Sequence, residues 1–185
     1  MDAKHLIEEL SEEEKMRQGN ISLILDTYND IFSDFDPRGY SERALSDDFL
    51  LECKRAARDK DPEIGIELRL LVPKSRRNLS DESRIKQRLK LHFHKHFKEK
   101  HNEIRSIKRE GIAWVVIGLV FIFLATIIYT YKGFLFNLLF VVLEPAGWFT
   151  LWSGLDKIFI TARGKKPELD FYRKMANAKI IFISY

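Results

Sequence analysis

Glu144 is the residue whose type and position point most directly to chemistry in this 185-residue chain. It lies at the centre of an apolar run from Phe134 to Leu155, and Pro145 follows it directly. A carboxyl group at mid-bilayer depth costs roughly 3 kcal/mol to insert, so it normally faces a partner, a cavity or another subunit. The proline removes a backbone donor, which predicts a kink or a break in the helix.

Two interpretations of this polar membrane site, Glu144 with Pro145, stay open. In the first, the carboxyl group is an ion or proton site, or a polar contact between subunits that line a pore. In the second, the kink draws Glu144 to a shallower or re-entrant position, where it meets water, Tyr131 or Lys132. The sequence leaves open whether residues 134–155 cross the bilayer completely or re-enter on the same side.

The residues around Glu144 predict that the chain crosses a membrane. The chain has 31% charged residues and a mean hydropathy of -0.23, yet the block from Gly111 to Leu155 contains only Lys132 and Glu144 as charged residues. A helix rises about 1.5 Å per residue, so residues 111–131 and 134–155 each reach roughly 30 Å, the thickness of a bilayer core. With Lys132 and Gly133 as a short turn, the sequence predicts an antiparallel transmembrane hairpin over residues 111–155.

Small and aromatic residues within this block have expected roles in packing and in anchoring. Glycines let membrane helices approach closely, and tryptophans favour the interface between lipid and water. The predicted packing positions are Gly118, Gly147 and Gly154, and the predicted interface anchors are Trp114, Trp148 and Trp152.

The charge distribution predicts the orientation of the hairpin. Residues 1–63 carry 9 Lys+Arg and 17 Asp+Glu, whereas residues 64–185 carry 22 and 10. The positive charge gathers before the first span, in Lys95 to Arg109, and after the second, in Lys157 to Lys166, while only Lys132 occupies the turn. Basic residues favour the cytoplasmic side, so we expect a multi-pass protein of the cell (inner) membrane with both termini cytoplasmic.

The segments outside the hairpin predict a small cytoplasmic α+β domain of about three strands. Residues 1–110 form its main part, including a long basic helix over residues 80–110, and residues 156–185 are a tail whose terminal strand joins it. Alternation of apolar and polar residues predicts strands at 64–72 and 178–185. Residues 20–26 fit a strand or a helix, and we favour the strand.

Helix signals complete the predicted domain. Ser46 is the expected cap of a helix over residues 47–58, and Ser80 is the expected cap of the long helix, which has no Gly or Pro before Gly111 and so is able to run directly into the first span. An amphipathic helix near the N-terminus would use Leu6, Ile7 and Leu10 as its apolar side.

A proline turn concentrates carboxylates between the first predicted strand and the helix after Ser46. The stretch reads FSDFDPR over residues 32–38 and ALSDDF over residues 44–49. In this stretch the chain resembles a group of small prokaryotic proteins with two membrane spans after a basic helix. The group has no assigned activity, so the resemblance supports only the layout of the chain.

The same carboxylates are a candidate cation site or protein-binding surface. Their oxygens suit Mg²⁺ or Ca²⁺, but their spacing is not that of a calcium loop, and turn and capping chemistry accounts for them. We therefore predict no metal site, and keep a partner or cation surface as a hypothesis. Its residues are Asp34, Asp36, Asp47 and Asp48.

Other chemical sites are not indicated by the sequence. His92 and His96 are four residues apart, as a shared zinc would need, but packed or solvated histidines explain them as well. No phosphate-binding glycine loop, catalytic triad motif or dinucleotide fingerprint occurs, which argues against an enzyme and against a cofactor. Basic residues interleaved with exposed aromatics are missing, which argues against nucleic acid as a partner. Cys53, the single cysteine, excludes an internal disulfide.

Two functional hypotheses from different classes follow. In the first, the protein is a homo-oligomeric channel or ion-conducting effector in the lipid bilayer, with Glu144 near the conduction path and the cytoplasmic domain as its gate. In the second, it is a non-conducting membrane anchor whose cytoplasmic domain binds a protein partner on its acidic surface.

Overall fold

The computed structural model describes residues 20–58, 60 and 65–185. The predicted N-terminal helix with Leu6, Ile7 and Leu10 lies outside these residues. The described chain is mostly helical and has one small parallel sheet of three strands. It divides into two compact units, one formed by the described residues up to Lys98 together with Leu169–Tyr185 and the other by Glu99–Glu168.

The sheet belongs to the first unit. Its strands are β1 (Asn20–Ile24), β2 (Glu67–Val72) and β3 (Lys179–Ser184), in the order β1-β2-β3. Ile21 pairs with Leu68, and Leu68 pairs with Ile180. All three predicted strands are confirmed within slightly narrower limits, and both pairs of neighbouring strands are parallel.

The residues that the structure describes include four helices of more than ten residues. They are α1 (Asp47–Ala57), α2 (Leu79–Tyr129), α3 (Phe134–Asp156) and α4 (Lys166–Asn177). Single 3-10 turns occur at Tyr28–Ile31 and Lys74–Arg76, and the chain between α3 and α4 contains a π-helix at Lys157–Thr161 and a helical turn at Ala162–Gly164. The predicted long helix and the first apolar segment are one continuous 51-residue helix, α2.

The predicted helix caps need correction. Ser46 occupies the position before α1, but its side chain makes no capping hydrogen bond. Ser80 lies inside α2, and the cap is Asn78, whose Oδ1 accepts hydrogen bonds from the backbone nitrogens of Ser80 at 3.0 Å and Asp81 at 3.4 Å. The amide of Asn78 precedes the helix by one residue, so it reaches the free N–H groups of the first turn.

The core of the first unit lies on one face of the sheet. Leu68, Leu70 and Val72 point to this face because alternate residues of a strand share a side, and all three are fully buried. Helix side chains at three- and four-residue spacing cover them. They include Phe49, Cys53 and Ala57 of α1, Ile85, Leu89 and Phe93 of α2, and Phe171 and Met175 of α4.

Helix α4 was not predicted. The tail was expected only to carry the terminal strand, yet Phe171, Met175 and Ala176 are a buried stripe on a 12-residue helix. Parallel strands require a long crossover, usually helical. Here α4 completes the crossover from β2 to β3, and the whole second unit is inserted into that connection.

Candidate functional site

The long apolar helices of the second unit pack against each other through glycines. A Cβ atom on Gly118 of α2 would lie 2.6 Å from the backbone nitrogen of Leu151 in α3, and one on Gly154 would lie 2.7 Å from the carbonyl oxygen of Gly111. Because residue numbers rise along α2 as they fall along α3, the helices are antiparallel. Gly147 completes the contact, since its Cβ would lie 2.7 Å from Ile122 Cγ1.

The turn between these helices depends on one glycine. Gly133 has φ +136, a conformation that side chains disfavour, and it directly precedes α3. The helices α2 and α3 are both long and apolar enough to cross a membrane, judged by length and composition.

Glu144 lies on the outside of this helical pair. Its side chain is exposed, and no side chain in the described part of the chain forms a hydrogen bond or an ion pair with it. The predicted break at Pro145 does not occur, because α3 runs from Phe134 to Asp156 with Pro145 inside it. Tyr131 stacks on Phe136, at 5.3 Å between ring centroids, and its hydroxyl forms no hydrogen bond with Glu144 in the described residues.

The face of α3 around Glu144 carries a second polar residue that the sequence reasoning missed. Asn137 is seven residues before Glu144, which places both on one side of a helix. Val141 and Trp148, at three residues before and four after Glu144, belong to the same face, and all four side chains are exposed. The heptad spacing of Asn137 and Glu144 was the available signal. We call this surface, formed by Asn137, Val141, Glu144 and Trp148, the outer face of α3.

The three tryptophans are exposed to different degrees on the helical pair. Trp148 and Trp152 of α3 are 47% and 62% exposed, and Trp114 of α2 is 38% exposed. The Lys157 ammonium lies 5.7 Å from the centre of the Trp114 ring and donates a hydrogen bond to Glu110. Their expected role as anchors at a lipid interface remains a prediction.

Three of the four carboxylates of the acidic surface have structural roles, and the fourth, Asp34, is almost fully exposed. Asp36 accepts hydrogen bonds from Nε and Nη2 of Arg38 and from the backbone nitrogen of Ala44 at 2.6 Å. These contacts hold the pKa of the Asp36 carboxyl well below its usual range, and the hydrogen bonds from the Arg38 guanidinium have the largest effect. Asp47 and Asp48 occupy the first turn of α1, where they complement the helix dipole.

Asp34 and Phe35 protrude from the loop that Asp36 holds. The Asp34 side chain is 91% exposed and has only a distant ion pair with Arg43, at 3.7 Å. Phe35 is 98% exposed, the most exposed of the large hydrophobic residues in the described segments. An aromatic ring presented in this way beside a carboxylate suits a protein contact.

A buried polar network in the first unit was also missed by the sequence reasoning. Glu82 is 2% exposed and accepts hydrogen bonds from Tyr28 Oη at 3.0 Å and from Arg77 Nε at 2.8 Å. The Tyr28 hydroxyl in turn accepts a hydrogen bond from the backbone nitrogen of Asn78 at 2.9 Å. This network links the chain after β1 to the start of α2.

Two histidines of α2, His92 and His96, are packed side chains, whereas His94 and His101 are exposed. His92 and His96 have ring centroids 4.3 Å apart, and His96 stacks on Tyr172. Burial, followed by the nearby His96, lowers the pKa of His92 to about 4. No group of three or more His, Cys, Asp or Glu side chains positioned to hold a metal ion occurs within residues 20–58, 60 and 65–185.

Cys53 is fully buried in α1. Burial raises the pKa of its thiol to about 12, so the reactive thiolate is scarce in the folded protein.

Comparison of the chain with protein-family models, with curated proteins and with solved structures found no match. The resemblance carried by residues 32–38 and 44–49 therefore stays a prediction.

Proposed function

We propose that this chain is an integral membrane protein that assembles from several identical copies into an ion-conducting channel. One observation carries the proposal. Glu144 lies in the middle of the 23-residue apolar helix α3, is exposed, and has no partner among the side chains that the structure describes. A carboxyl group at that depth in lipid needs compensation, and a second copy or a water-filled path supplies it.

The packing of α2 against α3 supports a path between copies. Gly118 and Gly147 bring the two backbones so close that the interface holds no room for even one added carbon atom. A conduction path inside one copy is therefore unfavourable. The outer face of α3 offers Asn137 and Glu144 toward other copies, where they would line a shared polar surface.

The proposed orientation places both termini in the cytoplasm, in the cell (inner) membrane. Its support is the basic character of the segments next to the apolar helices, which favour the cytoplasmic side. The first unit would then be a cytoplasmic domain, suited to act as gate or sensor.

Ion flux tests the channel. The full-length protein is reconstituted into liposomes, and flux of K⁺ and of Cl⁻ is measured from pH 5 to pH 8 for the wild type, for Glu144→Gln and for the exposed loop control Glu42→Gln. We expect Glu144→Gln to reduce cation flux at least about tenfold, equal to roughly 1.4 kcal/mol in the barrier, or to abolish its pH dependence. Unchanged rate, selectivity and pH dependence would remove Glu144 from the conduction path.

A second candidate function is a non-conducting membrane anchor that binds a cytoplasmic protein. The observation that favours it is Phe35, whose ring is 98% exposed beside the exposed carboxylate of Asp34. Large aromatic side chains are enriched at the energetic centres of protein interfaces. Absence of flux from the wild-type protein would favour this candidate over the channel.

The anchor is tested by a photoreactive phenylalanine analogue at position 35 in cells. We expect one crosslinked adduct of defined mass, and loss of most of it on Asp34→Lys, which reverses an exposed charge. Charge reversal at Asp36 is unsuitable, because Asp36 holds its own loop together. An adduct that is insensitive to Asp34→Lys would contradict recognition through the acidic surface.

A further inference from the structure

A groove of about 870 Å³ lies within the second unit, where α3 passes into the π-helix. Aromatic and aliphatic side chains form most of its wall, among them Phe149, Trp152, Phe159 and Ile160. Phe159 and Ile160 are 67% and 68% exposed. The wall is therefore both apolar and open.

The π-helix contributes apolar side chains to the wall of the groove. Lys157–Thr161 follows the wider i to i+5 pattern, and the Thr161 hydroxyl donates a hydrogen bond to Asp156 Oδ2 at 3.2 Å across five residues. Single π turns inside helices are frequent at functional sites. The π-helix places Phe159 and Ile160 after Asp156 and Lys157, so exposed apolar side chains continue beyond the two charged residues that follow the apolar run.

The polar groups of the groove leave one carboxylate uncompensated. Glu110 is neutralised by the hydrogen-bonded ammonium of Lys157. Asp156 is exposed, lines the groove and receives only the Thr161 hydroxyl, and no lysine or arginine pairs with it in the chain segments that the structure describes. The groove therefore combines a long apolar wall with one acceptor that a cationic donor would complete.

We propose that this groove binds a phospholipid whose headgroup carries a primary ammonium, as in phosphatidylethanolamine. An acyl chain lies against Phe149, Trp152 and Phe159, and the ammonium donates hydrogen bonds to the Asp156 carboxylate. Exposed basic residues that neighbour the lining residues in sequence attract the phosphate electrostatically. Lys108 and Arg109 lie between the lining residues Ile107 and Glu110, and Arg163 follows the lining residue Thr161 by two positions.

The charges at the groove favour one class of lipid headgroup over the others. An anionic lipid without an amine would bring a second negative charge beside Asp156, and a choline headgroup has no N–H with which to donate. Only an ammonium next to a phosphate matches both the carboxylate and the basic surroundings. The proposal rests on the proposed membrane location of the chain, but not on ion conduction.

Trp152 lines the groove and supplies the probe. The full-length variant Trp114→Phe/Trp148→Phe retains Trp152 as its single tryptophan. It is reconstituted in phosphatidylcholine vesicles that contain, at equal mole fractions, acyl-brominated phosphatidylethanolamine, phosphatidylcholine or phosphatidylglycerol. Quenching of Trp152 fluorescence against mole fraction gives the relative affinity of each lipid.

We expect phosphatidylethanolamine to bind on the order of fivefold more tightly than phosphatidylcholine. Asp156→Asn should reduce this preference to less than about twofold, Asp156→Glu should retain it, and the control Asp34→Asn should leave it unchanged. Equal quenching by the three lipids, or a preference for phosphatidylglycerol, would overturn the proposal. Retention of the protein in membranes washed with alkaline carbonate is measured in parallel with the quenching. A protein that is retained but shows no headgroup preference would contradict the lipid site and leave the membrane location intact.

Discussion

Gly118 of α2 and Leu151 of α3 lie in direct backbone contact, so that a Cβ atom on Gly118 would stand 2.6 Å from the Leu151 nitrogen and 2.9 Å from its Cα. Membrane helices gain stability from such close approach, because lipid provides little hydrophobic drive for helix association. The contact makes α2 and α3 one packed pair.

Gly118→Ala should therefore weaken this pair. The added methyl group meets backbone atoms, which are unable to move aside without separating the helices, and overpacking of this kind costs about 1–3 kcal/mol. The free energy of unfolding in mixed micelles measures the effect. Gly164→Ala is the matched control, since its Cβ meets no atom within 4 Å and it should change stability by less than about 1 kcal/mol. Equal effects of the two substitutions would contradict the packing account.

Glu82→Gln should destabilise the first unit and flatten its dependence on pH. The Arg77 guanidinium, as the largest cause, lowers the pKa of Glu82 in the folded protein. The folded state therefore binds fewer protons than the unfolded state, whose glutamate pKa is about 4.3, and the stabilisation is present above that pH and lost as the pH falls through the folded pKa. The substitution should cost about 1–3 kcal/mol at pH 7 and much less at pH 3.

Cys53 reports this unfolding in the full-length protein. It is the single cysteine and is fully buried, so a pyridyl disulfide should react with it only when the first unit opens. Reaction rates in increasing urea between pH 3 and pH 7 give the stability of the wild type and of Glu82→Gln. Parallel pH profiles for the two proteins would show that Glu82 is not the group responsible.

The same burial makes cysteine labelling a test of membrane orientation. Lys132→Cys lies in the exposed turn before α3, and Lys166→Cys lies at the start of α4, also exposed. A membrane-impermeant maleimide should label Lys132→Cys in intact cells and Lys166→Cys only after permeabilisation. Labelling of both in intact cells, or the reverse pattern, would contradict two cytoplasmic termini.

Asp36→Asn should loosen the loop that presents Phe35, whereas Asp34→Asn should leave it unchanged. Asp36 accepts hydrogen bonds from Arg38 and from the backbone of Ala44, while Asp34 is almost fully exposed. Protection of the Ala44 amide from hydrogen exchange measures the difference, and we expect it to fall about tenfold only in Asp36→Asn, from weakening one charge-assisted hydrogen bond. Equal protection in both variants would show that Asp36 does not hold the loop.

The strands and the long helices followed from local patterns in the sequence. Alternation at Leu68, Leu70 and Val72 indicated β2, and the charge-free run after Gly111 indicated the apolar part of α2. Both signals can be recognised because each is contained in one short segment of the chain and does not depend on its tertiary contacts. The parallel order of the strands depends on the crossover through α4, and that helix was missed even though Phe171, Met175 and Ala176 have helical spacing. Local alternation does not reveal whether two strands are parallel, so the tail itself gives no reason to expect a crossover helix.

The candidate site was only partly predictable for a similar reason. Glu144 is marked by its charge in an apolar segment, but α3 is apolar on all sides, so the sequence gives no direction in which the carboxyl group points. The glycines of α3 determine which of its faces packs against α2, and this packing fixes the side on which the carboxyl group lies. The π-helix at Lys157–Thr161 has no recognised sequence signal, and the groove beside it became visible only in three dimensions.

The protein mass of the detergent-solubilised particle, measured by light scattering with the detergent contribution subtracted, tests the central claim most directly. One chain has a mass of 21.8 kDa. We predict a defined particle of about four or more copies, because two spans per copy require several copies to enclose a path and to surround Glu144. A monomer of one chain mass would contradict the channel and leave Glu144 exposed to lipid.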